Sequence, residues 1–124
     1  MTFKDYQKNR QINAETITSG KTKITIPELM QTTDVVTIND FSFGRSKDTD
    51  EEFCICTYAE DQSRYFFASS ILLNDLKSFV CDACNGSFAE AKGALVKEGG
   101  FRYKVSVVKN RKGTNYYNWI AIVD

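Results

Sequence analysis

The segment EFCICTYAEDQSRYFFASSILLNDLKSFV, residues 52–80, decides the fold because its apolar period changes part-way along it. Residues 52–60 alternate as a strand does, residues 64–70 form a second, aromatic-rich strand, and the short polar stretch between them predicts a hairpin loop. From Ser70 onward the apolar residues recur at helical spacing behind a serine cap. The segment therefore predicts strand, turn, strand and helix.

The flanking segments extend this pattern to a barrel. Residues 34–43 are rich in β-formers and predict a strand before the segment, while residues 101–109 and 115–123 predict two strands joined by the polar tip KNRKGTN. Three strands, one helix and two strands are the order of the five-stranded Greek-key barrel, the OB-fold. We therefore predict a mainly β, OB-like barrel with an N-terminal extension, although a different small α+β sheet would give the same order.

The length of 124 residues suits one domain with one core. Residues 1–20 are polar, with scattered apolar positions, and predict a partly ordered N-terminal arm. Residues 21–124 are predicted to form a single OB-like domain. Within it, KTKITI (21–26) predicts a short strand, PELMQT (27–32) a short helix, and SFAEAKGALVKEGG (87–100) a second helical stretch after the first.

Composition indicates a soluble globular protein, with 42% hydrophobic and 26% charged residues. No apolar run approaches the roughly 20 residues that a membrane helix needs. The first residues, MTFKDYQKNRQ, carry charges where a secretory signal has its apolar stretch, so the expected compartment is the cytoplasm and no membrane partner is expected.

The formal net charge is zero, but the charges are unevenly distributed along the chain. Residues 28–61 contain nine acids and two bases, whereas residues 101–123 contain five bases and no acid. A local positive field attracts phosphate even when the total charge is zero. The carboxyl-terminal segment is therefore the expected contact for an anionic partner.

The residue types present argue against an enzyme. The chain has no histidine, which excludes triads of the Ser-His-Asp and Cys-His kinds. No glycine-rich phosphate motif is present, and the acids at positions 48, 50, 51 and 52 lie in a charged loop without the ordered spacing of a calcium site. We predict neither a catalytic residue nor a cofactor.

The predicted carboxyl-terminal hairpin carries the positive charge. Alternation directs Arg102 and Lys104 to the outer side of their strand, and Lys109, Arg111 and Lys112 lie at the tip. These five side chains are expected to contact phosphate. The alternative is that the lysines only protect an edge strand from aggregation.

Sixteen of the 124 residues are aromatic, enough to supply both a core and a stacking surface. Phe53, Tyr65, Phe67 and Phe79 are predicted to be buried. The candidate stacking rings are Tyr58, Phe66, Tyr116 and Trp119, with Arg64 on the same side as Phe66. Base stacking on exposed rings contributes about 1–3 kcal/mol per base. The alternative is that the helix or the N-terminal arm covers these rings, and by alternation Tyr116 and Trp119 lie on opposite faces.

The four cysteines occur as Cys54-x-Cys56 and Cys81-x-x-Cys84. Reduced structural thiols are the favoured interpretation, because half-buried strands commonly use cysteine as a small apolar residue. A four-thiolate zinc site is the less favoured alternative, since only the second pair has the local spacing of a zinc half-site.

Three segments together resemble a known class of proteins: ELMQTTDVVTINDFSF (28–43), EFCICTYAEDQSRYFFASSILLNDL (52–76) and YKVSVVKNRKGTNYYNWIAIVD (103–124). Their pattern is similar to that of bacteriophage-type single-stranded DNA-binding OB-fold proteins. The resemblance covers roughly residues 28–124 and implies an OB barrel, non-specific binding of single strands and no catalysis. The chain departs from well-known bacterial relatives of this kind in lacking a Gly/Pro-rich tail with an acidic, aromatic end, and in its neutral charge.

The sequence thus favours a non-enzymatic protein that binds single-stranded DNA, or RNA, as a phage replication or recombination accessory. The alternative is a phage or mobile-element protein-interaction module that inhibits a host factor, with the basic hairpin docked on an acidic protein surface. A homodimer and a host protein partner are compatible with either function.

Overall fold

The computed structural model describes residues 17–123. Most of the predicted N-terminal arm, residues 1–16, therefore lies outside the described residues. The elements in chain order are β1 (Thr22–Lys23), α1 (Ile26–Thr32), β2 (Val36–Arg45), β3 (Glu52–Tyr58), β4 (Asp61–Phe67), α2 (Ser70–Ser78), a π-helical turn (Phe79–Ala83), α3 (Phe88–Lys97), β5 (Phe101–Lys109) and β6 (Asn115–Ala121).

The six strands form one mixed sheet in the order β1-β4-β3-β2-β5-β6, and the sheet curls into a half-barrel. The pair β1–β4 is parallel and the other four pairs are antiparallel. The predicted mainly β, barrel-like class is confirmed. The two-residue strand β1 pairs with β4 at one edge of the sheet.

The strand β2 contributes to the curl of the sheet, because it pairs with a different neighbour along each part of its length. Residues 36–38 pair with Phe101–Tyr103 of β5, and residues 38–45 pair with β3. The register shifts between Ile38 and Asp40, where the two partners change over. Such a bulge bends its strand and increases the local twist, so β2 turns the corner of the half-barrel.

Local sequence explains where the short helix α1 begins. Thr25 and Glu28 form a capping box, in which each side chain accepts a hydrogen bond from the other residue's backbone N–H. Pro27 lies in the first turn, where backbone N–H groups have no acceptor within the helix, so the absence of one in proline breaks no hydrogen bond. The helix ends at Thr32, and three residues connect it to β2.

The main core fills the inside of the curl. Leu72 and Leu76 of α2, with Ala91 and Leu95 of α3, pack against the concave side of the sheet and are almost completely buried. The sheet contributes to this core Val36, Ile38, Phe41, Phe43, Cys54, Cys56, Tyr58, Phe66, Tyr103, Val105 and Trp119.

A second, smaller cluster lies on the opposite side of β3 and β4. Ile17 packs on Ile55, and the partly buried rings of Phe53, Tyr65 and Phe67 surround this pair. None of the helices within residues 17–123 has the length and apolar character that a membrane crossing requires.

Candidate nucleic-acid interface

The hairpin β5–β6 has a regular ladder that fixes which side chains share a face. Its register runs unbroken from Tyr103 opposite Ala121 to Lys109 opposite Asn115. Tyr103 and Val105 point into the core, whereas Arg102 and Lys104 are exposed on the other side. The predicted alternation of this strand is confirmed.

The tip of the hairpin presents the other three predicted cations to solvent. Lys109, Arg111 and Lys112 are all exposed. The Asn110 side chain organises the turn, because its Oδ1 accepts hydrogen bonds from the backbone N–H groups of Lys112 and Thr114, at 2.9 and 3.0 Å. Gly113 has a φ of +80°, a left-handed conformation that glycine adopts without strain.

Several cations outside the hairpin are held in ion pairs. Arg45 pairs with Asp50, Arg64 with Asp61 and Lys77 with Glu52. Within residues 17–123, no ion pair engages the four hairpin lysine and arginine side chains at 104, 109, 111 and 112. Their positive charge is therefore not neutralised by a neighbour among the described residues.

Tyr116 is the one predicted stacking residue that shares a face with two of the predicted cations, Arg102 and Lys104. Its side chain is 39% exposed, and it lies opposite Val108 on the side of the hairpin that carries Arg102 and Lys104. The structure therefore brings Arg102, Lys104 and Tyr116 together on one surface, which we call the hairpin face.

The other three predicted stacking rings are in the core, and their expected exposure is wrong. Tyr58, Phe66 and Trp119 are 1%, 0% and 6% exposed. The Phe66 ring stacks on Trp119 with centroids 5.5 Å apart, and Tyr58 meets Phe66 edge-on at 5.8 Å. With both ring faces covered by protein, none of them offers a surface to a base.

The rings predicted to be buried lie instead on the outer side of β3 and β4. Phe53, Tyr65 and Phe67 are each only partly buried, and Phe67 meets the other two edge-on, at 5.6 and 6.2 Å. The Lys23 ammonium lies 4.6 Å from the centroid of the Phe67 ring. We call this surface the aromatic face. The fourth such ring, Phe79, is partly buried against the main core.

This inversion has a packing reason. The strand β3 is apolar on both sides, so its period alone does not identify the inward side. Cys54 and Cys56 are buried in the main core, whereas the Phe53 ring lies across Gly44, where a Cβ would meet its Cζ at 2.5 Å. The sequence places small residues on one side of β3 and large rings on the other. This size difference could have identified which side carries the aromatic face.

Arg64 is half-exposed and bound to its own strand. Its Nε lies 3.3 Å from Asp61 Oδ2. Hydrogen bonds from Ser63 lower the pKa of Asp61, and Arg64 adds to this shift. The predicted neighbourhood of Arg64 and an exposed Phe66 is wrong, because Phe66 is buried.

The cysteines do not converge on a metal site. Cys54 Sγ and Cys56 Sγ are 3.9 Å apart inside the core, where burial and the contact with Cys54 raise the pKa of Cys56. Cys84 is buried and Cys81 exposed at the π-helical turn. Within residues 17–123, no three His, Cys, Asp or Glu side chains are grouped as metal ligands.

A cavity of about 700 Å³ lies where α2 and the π-helical turn meet the start of β5 and the end of β6. Phe79 and Phe101 contribute apolar walls, and Asp75, Asp82 and Glu98 contribute carboxylates. Arg102 also lines this cavity. This residue, at the base of the hairpin, therefore shares its surroundings with carboxylates, unlike the cations of the tip. The carboxylates oppose a phosphate here.

Comparison of the chain with protein-family models, with curated proteins and with solved structures gave no match.

Proposed function

We propose that this chain is a non-enzymatic, OB-like module that binds single-stranded nucleic acid. The observation that carries the proposal is the hairpin: five cations and no acid between residues 101 and 123, with three exposed cations at the tip and Tyr116 on the hairpin face. Cations of this kind track a phosphate backbone, and an exposed ring offers a surface to a base.

The strand order supports the OB-like part of the proposal. Apart from β1, the sheet follows the order β4-β3-β2-β5-β6, with β2 pairing with both β3 and β5. In OB-folds the second and third strands of the barrel present the ligand face, and the last hairpin loop flanks it. By that correspondence, β3 and β4 carry the ligand face.

The aromatic face lies on these same two strands. Phe53, Tyr65 and Phe67 expose part of their rings there, and Lys23 adds a cation. In the proposed complex these rings stack on bases, which is the role predicted from the sequence for Tyr58, Phe66 and Trp119. Single-stranded DNA is the proposed ligand, with RNA as an alternative, and the expected compartment is the cytoplasm, with the four cysteines as reduced thiols.

Fluorescence anisotropy of a labelled oligo-dT strand tests the proposal. The double variant Lys109→Ala/Lys112→Ala is compared with Lys77→Ala/Lys97→Ala, which removes two exposed lysines of the helices. The hairpin variant is expected to flatten the slope of log K against log salt by about 1.4, because each phosphate contact on a single strand contributes roughly 0.7. The control variant keeps the wild-type slope.

Two further readouts make the result decisive. The emission of Trp119, the only tryptophan, should not be quenched by base stacking on binding, because its ring is covered by Phe66. Tyr65→Ala should weaken binding without changing the salt slope, since a ring contact releases no counterion. No anisotropy change at low salt with the wild-type protein would reject the proposal.

The second candidate is a protein-interaction module, and the exposed apolar residues of the hairpin favour it. Val107 and Ile120 are 50% and 54% exposed beside the basic side chains. A hairpin of this composition fits an acidic protein surface with apolar pockets. This function predicts no oligonucleotide binding at low salt, so the same titration separates the two.

A further inference from the structure

The outer edge of β6 is open in the sheet. The strand is last in the sheet order, and among residues 17–123 no strand pairs with its side away from β5. The opposite edge of the sheet is formed by β1, which has only two residues and includes Lys23. Short strands and lysine are devices that prevent edge-to-edge association. The two edges of this sheet are therefore built differently.

The hydrogen bonds of the hairpin show which backbone groups of β6 face the open edge. The N–H of Asn110 donates to the carbonyl of Thr114, and that of Ile122 donates to the carbonyl of Arg102. Hydrogen-bonded and non-hydrogen-bonded pairs alternate along an antiparallel ladder. Counting by twos from these bonds, the backbone groups that point away from β5 belong to Asn115, Tyr117, Trp119 and Ala121.

The sequence of β6 contains none of the usual protection for such an edge. Residues 115–123 include no charged residue and no proline, and the ladder with β5 has no bulge. Most of the exposed large apolar side chains lie in or beside this hairpin: Val107, Tyr116, Ile120 and Val123. A seven-residue strand with these properties is a template for a further strand.

We propose that β6 pairs antiparallel with β6 of a second copy of this chain, so that the sheet continues across a two-fold axis. Full overlap of Asn115–Ala121 places the axis at Asn118. Outside the sheet, Tyr116 then lies opposite the partner's Ile120, and Asn118 lies opposite the partner's Asn118. An aromatic residue opposite a β-branched one is a favourable cross-strand pair, and two asparagine amides can exchange hydrogen bonds.

The self-complementarity of the strand is the reason for choosing a second copy over a foreign strand. A two-fold interface requires that each residue meet a suitable partner from the same strand in reverse. In this register no charged side chain meets another, since the strand has none. The proposal does not depend on nucleic-acid binding.

Light scattering coupled to gel filtration tests the proposal on the full chain. The wild-type protein is expected to show twice the 14.1 kDa mass of one chain over a wide range of loading concentration. Ile120→Lys places a charge on the exposed outer side of the edge and is expected to give the single-chain mass. Val96→Lys makes the same change at a 79% exposed position of α3 and should stay dimeric.

Hydrogen exchange measured by NMR identifies the surface and does not depend on either variant. The amides of Tyr117 and Trp119 should exchange slowly in the wild-type dimer and faster in Ile120→Lys. A wild-type protein of single-chain mass at all concentrations would overturn the proposal. A dimer in which these two amides exchange freely would overturn it as well, since another surface would then hold the copies together.

Discussion

Phe66 of β4 and Trp119 of β6 stack face to face across the interior of the half-barrel, with ring planes 7° from parallel. These strands are not neighbours in the sheet. Tyr103 meets Trp119 edge-on from β5, at 6.0 Å, which encloses the indole between two further strands. This contact ties the basic hairpin to the body of the fold.

Truncation of this contact is expected to be strongly destabilising. Phe66→Ala should lower the free energy of unfolding by about 3–5 kcal/mol, because it removes a fully buried ring and leaves a cavity beside Trp119. Urea denaturation followed by Trp119 emission measures the change. Lys47→Ala, at an exposed position of the loop between β2 and β3, serves as the control and should change stability by less than about 0.5 kcal/mol. Equal effects of the two variants would contradict the packing described here.

Two glycines give a matched pair for testing the aromatic face. Gly44→Ala adds a Cβ that would lie 2.5 Å from Phe53 Cζ, so the ring has to move. Overpacking of this kind costs about 1–3 kcal/mol, and the displaced ring should also weaken oligo-dT binding. Gly93→Ala adds the same methyl group in α3, where no atom lies within 4 Å.

The control variant should be more stable than the wild type. Alanine is favoured over glycine inside a helix by about 1 kcal/mol, so Gly93→Ala is expected to raise the free energy of unfolding by that amount and leave binding unchanged. Thermal and urea unfolding measure both variants. Stabilisation by Gly44→Ala would show that Phe53 does not lie across Gly44.

The hydrogen bond between Tyr103 and Asp75 predicts a loss of stability at alkaline pH. The Tyr103 hydroxyl donates to Asp75 Oδ2 at 2.5 Å. Burial, together with this bond, raises the pKa of Tyr103 well above its ordinary value of 10.0. Above pH 10 the unfolded chain releases this proton while the folded protein keeps it, so the free energy of unfolding falls as pH rises.

Tyr103→Phe isolates this contribution. At pH 8 the variant loses the bond to a carboxylate, which is worth about 1.5–3 kcal/mol. Its stability should then decline less steeply above pH 10 than that of the wild type. Tyr116→Phe, at an exposed hydroxyl, should keep the wild-type curve. Denaturant unfolding between pH 8 and pH 11 measures all three proteins, and parallel curves for Tyr103→Phe and wild type would refute the assignment.

The sequence by itself determined the local elements. The change of period at Ser70 is the start of α2, the polar tip at 110–114 is the hairpin turn, and the alternation of β5 separates Arg102 and Lys104 from the core. These features depend on residues close together in the chain, which repeat with the period of a strand or a helix. The sequence also identified the exposed cations, because no contact within the fold is needed to leave a lysine in water.

Only the tertiary structure decided which side of β3 and β4 faces the core. Alternation states that Phe53 and Tyr58 lie on opposite sides, but both sides are apolar, and either could have been buried. The side that is buried is the one that shares a core with α2 and α3, and Cys54 and Cys56 lie on it. Which side of a strand faces the core is a property of the whole fold, because it depends on which surface the distant helices cover.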